Sequence, residues 1–382
     1  MRSILVLLHC ESHTGYAIEP LEATFYQMAV ELCGGDESRV HFGYPSMSRG
    51  PSESLPKHFQ NYVIIDAATR DADHCRTAQR YLEANQIDTI FGFDQPVRRP
   101  IYKYFRRAGV RHFVSYWGAP MSSVFGPLKR SLKRAEVAFA RHGPDFYIFE
   151  SHGMADSAVL GRGIPRSKTG VVHLGVDTRR WQPCQDDADY IYRELAIPRQ
   201  RRIFFYSGHM EERKGVAVIM RAANRVAECR QEDDWEIVLF GNRPSEEVPF
   251  IGMLSEAARR HVVFGGYRTD LHLMQRGCYV AVIASTGWDS FTMSSLEMQA
   301  SGLPLLVSDL TGLREAVVQG DTGFRFPPGD DERLARLMLL MLSDVPLRDR
   351  LSKQAVDRIS EHFSAGRQLS GLVAAVRSIV AK

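Results

Sequence analysis

Three consecutive pieces of the chain decide its fold class: Val280-Ala-Val-Ile-Ala284, Trp288-Asp-Ser-Phe-Thr-Met-Ser-Ser-Leu-Glu297 and Leu305-Leu-Val-Ser308. The first and third are short apolar runs with the length of buried strands, and the second has the spacing of a helix. A strand, a crossover helix and a second strand make up the unit from which parallel sheets are built. This segment therefore predicts a parallel α/β architecture.

The same alternation of apolar runs and helix-spaced segments continues through the whole chain. Candidate strands are residues 4–8, 62–66, 88–92, 111–116 and 145–149 in the first half, and 202–207, 236–240, 261–264, 280–284 and 305–308 in the second. At 382 residues the chain exceeds one ordinary core, and the Pro- and Asp-rich stretch 182–189 is the best linker between two domains. We expect two doubly wound domains, which bind ligands at the carboxyl ends of their strands.

Composition and charge exclude several classes of protein. The chain is 44% apolar and 24% charged, which is typical of a globular protein and not of a disordered one. Its formal net charge of +3 is too small to indicate nucleic-acid binding. The six cysteines include no C-x-x-C pair, which argues against a zinc site or a disulfide framework and favours the reducing cytoplasm. No stretch approaches the roughly 20 apolar residues of a membrane span.

Two carboxylates frame the predicted helix of the first segment. Asp289 precedes the helix, and Glu297 lies about two turns into it if the helix begins near Phe291. A helix N-terminus presents unpaired backbone amides and favours phosphate. The amides expected to face such a ligand are those of Ser290, Phe291, Thr292 and Met293. The alternative is an ordinary N-terminal Asp followed by a solvent-exposed helix Glu.

A second polar loop, Ser207-Gly208-His209-Met-Glu-Glu-Arg213-Lys214-Gly215, follows a predicted strand and opens a predicted helix. Its basic side chains stand at the carboxyl end of the strand, where they complement a phosphate. Lys214 carries a permanent charge at neutral pH, whereas His209 adds charge only when its imidazole is protonated. Arg213 either assists Lys214 or lies on the helix surface.

Both segments resemble the signature of the family 4 glycosyltransferases, the first through its E-x7-E spacing. The resemblance implies the GT-B fold, in which two Rossmann-like doubly wound domains face a central cleft and a C-terminal helix crosses back to the N-terminal domain. It implies that Glu297 holds the ribose hydroxyls of a nucleotide-sugar and that Asp289, in place of the family's first Glu, contacts the donor sugar. Lys214 matches the lysine on the donor diphosphate, and His209 stands where the family has Arg.

Further matches extend the resemblance over the second half of the chain. Gly208 matches the glycine of the diphosphate loop, and the loops similar to those that hold the nucleotide base are Phe240-Gly241-Asn242 and Phe264-Gly-Gly-Tyr267-Arg268-Thr-Asp-Leu271. The implied domains are residues 1–183 for the acceptor, 190–345 for the nucleotide-sugar and 346–382 as the returning helical segment. The implied donor is a UDP- or GDP-linked sugar, with no other cofactor.

The resemblance assigns acceptor binding to the N-terminal domain. Candidate acceptor residues, each in a loop after a predicted strand, are His13, Gly15, Tyr16, Trp117 and His152. Trp117 either stacks on a sugar ring or only packs, and His13 and His152 are weak candidates because lone loop histidines are commonly surface residues. The implied acceptor is a glycan, a lipid-linked sugar or a small molecule.

Residues 98–142 form a strongly basic region in which Glu136 is the single acid. Aromatic residues are interleaved with the Arg and Lys residues. Basic-aromatic helices dock on anionic membrane surfaces, and many relatives act on lipid-linked acceptors, so peripheral contact with the inner membrane face is a hypothesis. A solvated basic helix face is the alternative. The sequence contains no nucleic-acid-binding module, so a nucleic-acid partner is not expected.

The resemblance also implies a reaction that retains the anomeric configuration without a metal. The leaving diphosphate would be stabilised by Lys214, by the helix amides near Phe291 and by His209. The departing phosphate oxygen then takes the proton of the acceptor hydroxyl, and no protein nucleophile is required. Two alternatives stay open: a sugar-nucleotide epimerase or phosphorylase on the same fold, and a non-catalytic relative that binds nucleotide-sugar.

Overall fold

The computed structural model describes residues 2–15, 18–121 and 126–381. The chain divides into two compact units, the first comprising Met1–His173 with Gly366–Lys382 and the second Leu174–Ala365. The boundaries implied by the sequence, after residue 183 and before residue 346, differ from these. Each unit is built around its own parallel sheet.

The N-terminal unit contains a seven-stranded parallel sheet in the order β3-β2-β1-β4-β5-β6-β7. Its strands are β1 (Ser3–Leu7), β2 (Val40–Tyr44), β3 (Tyr62–Ile64), β4 (Ile87–Phe93), β5 (His112–Trp117), β6 (Phe146–Phe149) and β7 (Thr169–Val171). Every residue of β1 and β4 is buried, as expected for the central strands of a parallel sheet. The five strands predicted in this half are confirmed, and β2 is an addition.

The first five helices belong to the N-terminal unit. They are α1 (Glu19–Leu32), α2 (Ala72–Ala84), α3 (Tyr102–Arg107), α4 (Pro127–Ala138) and α5 (His152–Asp156), with short 3-10 helices at Glu37–Arg39 and Arg166–Lys168 and a π-helical turn at Ser157–Arg162. Helix α1 ends where the sequence predicts, because Gly34 and Gly35 both take positive φ angles, 71° and 89°, which a helix cannot continue through.

The C-terminal unit contains a six-stranded parallel sheet in the order β10-β9-β8-β11-β12-β13. Its strands are β8 (Arg202–Ser207), β9 (Trp235–Phe240), β10 (Val262–Phe264), β11 (Val280–Ile283), β12 (Leu305–Ser308) and β13 (Gly323–Phe326). All five strands predicted in this half are confirmed. The order reverses between β8 and β11, so the loops after these strands diverge at a topological switch point, where such sheets bind ligands.

Helices α6 to α13 belong to the C-terminal unit. They are α6 (Tyr190–Glu194), α7 (Val216–Cys229), α8 (Val248–Ile251), α9 (Glu256–Arg259), α10 (Leu271–Gln275), α11 (Met293–Ala300), α12 (Asp331–Ser343) and α13 (Val345–His362), with a 3-10 turn at Glu212–Lys214. Among the described residues, no helix is both long enough and apolar enough to cross a membrane.

The predicted final helical segment is two helices, because α13 ends at His362 and α14 (Ala365–Val380) begins after a short break. At this break the amide of Val176 donates to the carbonyl of Phe363 at 2.8 Å, and the amide of Ala365 donates to the carbonyl of Val176 at 2.9 Å. A Cβ on Gly175 would lie 2.4 Å from the carbonyl oxygen of Ser364, so only glycine permits this close approach.

Candidate functional site

Two loops of the C-terminal unit meet at the carboxyl edge of β8 and β11. The first loop ends at Gly215, whose φ of +74° is suited to glycine and whose added Cβ would lie 1.7 Å from the carbonyl oxygen of Ala284. The second loop begins at that point, and its Thr286 amide donates to the carbonyl of Arg213 at 2.8 Å. The glycine therefore lets the loop after β8 press against the end of β11.

This contact brings Lys214 and Asp289 together, although they are 75 residues apart in the sequence. The Lys214 Nζ donates to both carboxylate oxygens of Asp289, at 3.0 and 2.9 Å. The Ser285 hydroxyl donates to the same carboxylate at 2.7 Å, and the Ser290 amide donates at 3.1 Å. Asp289 is only 4% exposed, so loss of the lysine would leave a buried charge without its cation.

Glu297 lies in the second turn of α11 and is 3% exposed. The alternative of a solvent-exposed helix Glu is therefore wrong. Helix α11 is almost entirely buried, since it follows β11 at the centre of the unit and lies between this strand and the next. The helix holds the Glu297 carboxylate on the same segment as Asp289, as the spacing of the two acids predicts.

The start of α11 corrects the prediction about its backbone amides. The helix begins at Met293, two residues later than expected, and the Thr292 hydroxyl caps it by accepting from the Ser295 amide at 3.3 Å. The Ser290 amide is not free, because the adjacent Asp289 carboxylate accepts its hydrogen bond. Phe291 contributes its side chain to the interior, where it packs 5.2 Å from the ring of Phe363.

Arg213 takes neither of the two roles considered from the sequence. Its guanidinium lies 4.4 Å from the ring centroid of Trp288, which is a cation–π geometry. The same guanidinium donates to the carbonyl of Trp288 at 3.3 Å, and its Nε lies 2.8 Å from the Glu211 carboxylate. Arg213 thus joins the loop that carries Lys214 to the loop that carries Asp289.

His209 lies on the exposed outer part of the loop after β8. Its carbonyl accepts a hydrogen bond of 3.0 Å from the Tyr206 hydroxyl, whose pKa is raised by burial so that it stays a neutral donor. A Cβ on Gly208 would lie 2.7 Å from this hydroxyl, which explains the glycine beside the histidine. The backbone of His209 is therefore fixed while its imidazole reaches solvent.

The loops after β9 and β10 are held together through glycine backbones. Gly241 has a φ of +107°, and a Cβ on it would lie 2.3 Å from the carbonyl oxygen of Gly208. The Gly241 amide donates to Gly266 at 2.9 Å, and the Gly266 amide donates back to the side-chain carbonyl of Asn242 at 2.9 Å. The Asn242 amide group donates to Glu247 at 3.0 Å. These contacts form a rigid platform of backbone groups beside the β8 loop.

The remaining candidates of this unit differ in availability. Tyr267 is exposed, and Leu271 begins α10 and packs on the hydrophobic core. Arg268 donates two hydrogen bonds to Asp270, at 2.8 and 2.6 Å, and a third to Glu194 at 3.1 Å. The guanidinium lowers the pKa of Asp270 to about 2, so this ion pair persists at neutral pH. Arg268 therefore acts first as a support of the β10 loop.

The acceptor candidates of the N-terminal unit are placed by its first loops. His13 has a φ of 59°, and its ring N–H donates to the carbonyl of Pro51 at 2.7 Å. Gly15 takes a φ of +125° with open space where a side chain would be, and Tyr16 lies outside the described residues. His13 thus connects two loops at the end of β1 and β2, which is a structural contact that the sequence did not reveal.

Trp117 and His152 lie at the ends of β5 and β6. Trp117 packs against the hydrophobic cluster that includes Tyr147 and Phe149, which favours the packing alternative for its ring. Its indole N–H is buried without a hydrogen-bond partner among the described residues. His152 is exposed at the start of α5, with its ring 5.7 Å from that of His173.

Sequence reasoning missed two acids at the same edge of this sheet. Asp94 directly follows β4, and Glu150 directly follows β6. Burial raises the pKa of both carboxyls, and for Glu150 the charge of Asp94 raises it further. The available signal was an acid immediately after an apolar strand, which places it at the ligand-binding edge of a parallel sheet.

The two doubly wound parallel sheets define the GT-B fold of glycosyltransferases, so the predicted fold is confirmed. A solved glycosyltransferase from Rickettsia africae matches 99% of this chain and 99% of its own with a TM-score of 0.83 at 14% identity. HepE from Anabaena, solved in complex with UDP, matches 98% of this chain and 100% of its own with a TM-score of 0.78 at 16% identity.

The sequence comparisons point to the same class of protein. Residues 187–358, just under half of the chain, match the family model described as "Glycosyl transferases group 1". The lipopolysaccharide core biosynthesis mannosyltransferase LpsB of Rhizobium meliloti is 22% identical over 219 residues, which cover 56% of this chain and 61% of that protein. The chain spans about half the length of the curated relatives it matches.

Proposed function

We propose that the protein is a glycosyltransferase that moves a sugar from a nucleoside-diphosphate sugar to an acceptor hydroxyl. The observation that carries this proposal is the buried Lys214–Asp289 pair at the switch point of the C-terminal sheet, on the same segment as the buried Glu297. The segment also lies within the stretch that matches the glycosyltransferase family model. A buried cation and a buried carboxylate at this edge supply the two groups that a donor diphosphate and a donor ribose require.

The geometry supports a division of labour among these side chains. In the absence of ligand the charge of Lys214 is balanced by Asp289, and a diphosphate can share that lysine without unfolding the site. The Ser285 hydroxyl and the Ser290 amide continue to hold Asp289 when the lysine turns toward phosphate. Asp289 then contacts the donor sugar, and Glu297 accepts hydrogen bonds from the ribose hydroxyls. His209 completes the diphosphate contact when its imidazole is protonated.

We infer a retaining, metal-independent reaction of the family 4 type. Developing negative charge on the leaving diphosphate is stabilised by Lys214 and by the backbone at the start of α11, which is the electrostatic role that preorganised donors play in catalysis. The leaving phosphate oxygen accepts the proton of the acceptor hydroxyl as the new glycosidic bond forms. The site residues stay a proposal, as do the donor-binding roles of Gly208, Gly241, Asn242 and Tyr267.

We infer that the donor is UDP-linked or GDP-linked. Structures of HepE in complex with UDP and with UDP-glucose make UDP the first nucleotide to test. Two alternatives are separated by simple assays: an epimerase or phosphorylase turns over without a sugar acceptor or with inorganic phosphate, and a non-catalytic relative binds nucleotide without turnover.

The test is calorimetric binding of UDP, GDP and ADP, without added metal, to the parent and to Glu297→Ala. One nucleotide should bind, and the substitution should weaken it about 10- to 100-fold, because hydrogen bonds to a charged group contribute about 1.5–3 kcal/mol each. Glu256→Ala, an exposed glutamate of the same unit, is the matched control and should leave binding unchanged. Absence of binding by all three nucleotides would contradict the proposal.

We further propose that the basic region 98–142 contacts an anionic membrane from the cytoplasmic side. Helix α4 exposes Leu128 and Leu132, at 77% and 65%, one turn apart on a helix whose other residues include Lys129, Arg130, Lys133 and Arg134. Exposed leucines surrounded by cations fit an anionic lipid surface better than bulk water. The name of LpsB, a lipopolysaccharide core biosynthesis enzyme, supports a lipid-linked acceptor.

The membrane contact is tested by sedimentation with phosphatidylcholine vesicles that contain or lack phosphatidylglycerol. The parent should bind the anionic vesicles, and Leu128→Ser/Leu132→Ser should bind about tenfold or more weakly, because each buried leucine contributes about 1.5–3 kcal/mol. Val248→Ser is the control, since Val248 is 61% exposed in the C-terminal unit. Equal binding to neutral and anionic vesicles would contradict the charge argument.

A further inference from the structure

Four neighbouring strands of the N-terminal sheet end in one polar cluster. Strands β1, β4, β5 and β6 are adjacent in the sheet, and the residues at or just past their carboxyl ends are His9, Asp94, Gly118 and Glu150. The cluster has no role in the proposed donor site, which lies in the other unit. It contains two carboxyls and one imidazole, with a glycine between them.

Asp94 is held in place by the backbone around it. It takes a φ of 51°, its amide donates to the carbonyl of Tyr116 at 2.8 Å, and its carboxylate accepts the Gly118 amide at 2.9 Å. The other carboxylate oxygen lies 4.0 Å from the His9 Nδ1, and the His9 ring lies 5.1 Å from that of Phe93. A non-glycine residue in the left-handed region is strained, and here the strain aims the carboxyl at the cluster.

Glu150 lies against Gly118 and has no partner of its own. A Cβ on Gly118 would lie 2.9 Å from the Glu150 Oε1, so the glycine leaves the space in which this carboxyl sits. Glu150 is 4% exposed, and in the described part of the chain its carboxyl has no hydrogen-bond or ion-pair partner. A buried carboxyl that no protein group satisfies is costly, which indicates that a ligand group completes it.

The cluster is open to solvent on one side. The exposed fraction falls from 44% for the His9 side chain to 20% for Asp94 and 4% for Glu150. A ligand group entering from solvent therefore passes His9 and Asp94 before it reaches Glu150. Burial raises the pKa of both carboxyls, with the His9 charge and the Gly118 amide opposing the shift at Asp94 and the Asp94 charge adding to it at Glu150.

We propose that Asp94 and Glu150 bind an uncharged, hydroxyl-bearing ring of the acceptor and exclude anionic groups from this position. The inference rests on the proposed glycosyltransferase function and names the chemical class of its acceptor. Two adjacent carboxyls do not both ionise, so the pair presents one O–H donor and one carboxylate acceptor. A sugar or polyol hydroxyl both donates and accepts, and it satisfies both groups. A phosphate or carboxylate there meets a like charge.

The test measures sugar binding to the full chain by saturation-transfer NMR and competition, without any donor. The neutral probes are methyl α-D-glucopyranoside, methyl α-D-galactopyranoside and myo-inositol. The charged probes are glucose 6-phosphate, glucuronate and glucosamine. At least one neutral probe should bind at millimolar concentrations, and the anionic probes should bind about tenfold or more weakly, as expected for a like-charge contact. Tighter binding of glucosamine than of every neutral probe would overturn the proposal in favour of a cation site.

Two variants separate charge from shape. Asp94→Asn/Glu150→Gln removes both charges without changing volume, and the disadvantage of the anionic probes should shrink to within about threefold. Glu150→Ala, which removes the donor and the acceptor together, should weaken the neutral probe about tenfold. Asp73→Asn/Glu83→Gln, two exposed acids of α2, is the control with the same change in net charge.

The failure of this proposal is distinct from failure of the proposed function. Absence of binding by every neutral probe, or an unchanged preference in Asp94→Asn/Glu150→Gln, would overturn it while nucleotide binding in the C-terminal unit stays measurable. Loss of nucleotide binding in the parent would instead contradict the proposed function. Nucleotide affinity also serves as the folding control, and each variant should keep the parental value.

Discussion

The carboxyl edges of the two sheets treat buried acids in opposite ways. Asp289 and Glu150 are each 4% exposed, and each follows a strand of a parallel sheet. Asp289 receives two contacts from the Lys214 ammonium, one from a hydroxyl and one from an amide. Glu150 has a second acid, Asp94, as its charged neighbour and no cation among the described residues.

This difference shows how one topology produces two kinds of binding site. Parallel strands bring their carboxyl ends together in both units, and the loops decide which charge is placed there. In the C-terminal unit Gly215 lets a lysine-bearing loop approach β11, so the edge can exchange its own carboxylate for an anionic ligand. In the N-terminal unit Gly118 makes room for a carboxyl without adding a cation. The first edge suits a diphosphate, and the second suits neutral hydroxyls.

The largest expected effect comes from removing the cation that distinguishes the two edges. Lys214→Ala should lower the rate of sugar release from the donor about 10²- to 10³-fold, which is the usual consequence of removing one preorganised group that stabilises a developing anion. The measurement is hydrolysis of the nucleotide-sugar whose nucleotide binds in calorimetry, with no acceptor present. The parent supplies the reference rate.

The matched control is Lys353→Ala, because Lys353 is an exposed lysine of the same unit. The double variant Lys214→Ala/Asp289→Asn separates chemistry from stability. It should recover thermal stability lost on leaving the Asp289 charge buried and unpaired, but it should not recover the rate. A parental rate of hydrolysis in both Lys214→Ala and Asp289→Asn would contradict the site assignment.

Most of the fold could be predicted because the strands are uninterrupted apolar runs. Strand β2 was missed because His41 and Gly43 break its apolar pattern, although both lie in a buried strand. Strand β13 was read as part of a motif and not as a strand. The break between α13 and α14 was also missed, since it depends on hydrogen bonds from Val176, which is distant in sequence.

The candidate donor site could be located from the sequence, but its internal contacts could not. The spacing of Asp289 and Glu297 within one segment is a local property, and a resemblance supplied Lys214. The pairing of Lys214 with Asp289 is a tertiary contact that arises from the packing of Gly215 on Ala284. Asp94 and Glu150 were overlooked for the same reason, because only the sheet order brings them together.

The smaller expected effect tests the opposite edge through the pH dependence of stability. The folded state raises the pKa of Glu150 above its ordinary value of about 4.3. Above that value the unfolded chain releases this proton while the folded chain retains it, so folding loses stability as pH rises toward the folded pKa. Glutamine at position 150 has no proton to release. Glu150→Gln should therefore gain Tm relative to the parent as pH increases from 4.5 to 8.

The expected gain is a few degrees in Tm, and below pH 4 the difference should no longer change with pH because both states are then protonated. His9 and Asp94 also titrate beside Glu150, but both are present in parent and variant, so their own contributions largely cancel in the difference. Glu83→Gln, at an exposed position of α2, should give a difference that is flat with pH. A difference that shrinks as pH rises would mean that a cation stabilises the Glu150 carboxylate, and the two edges would then bind charge in the same way.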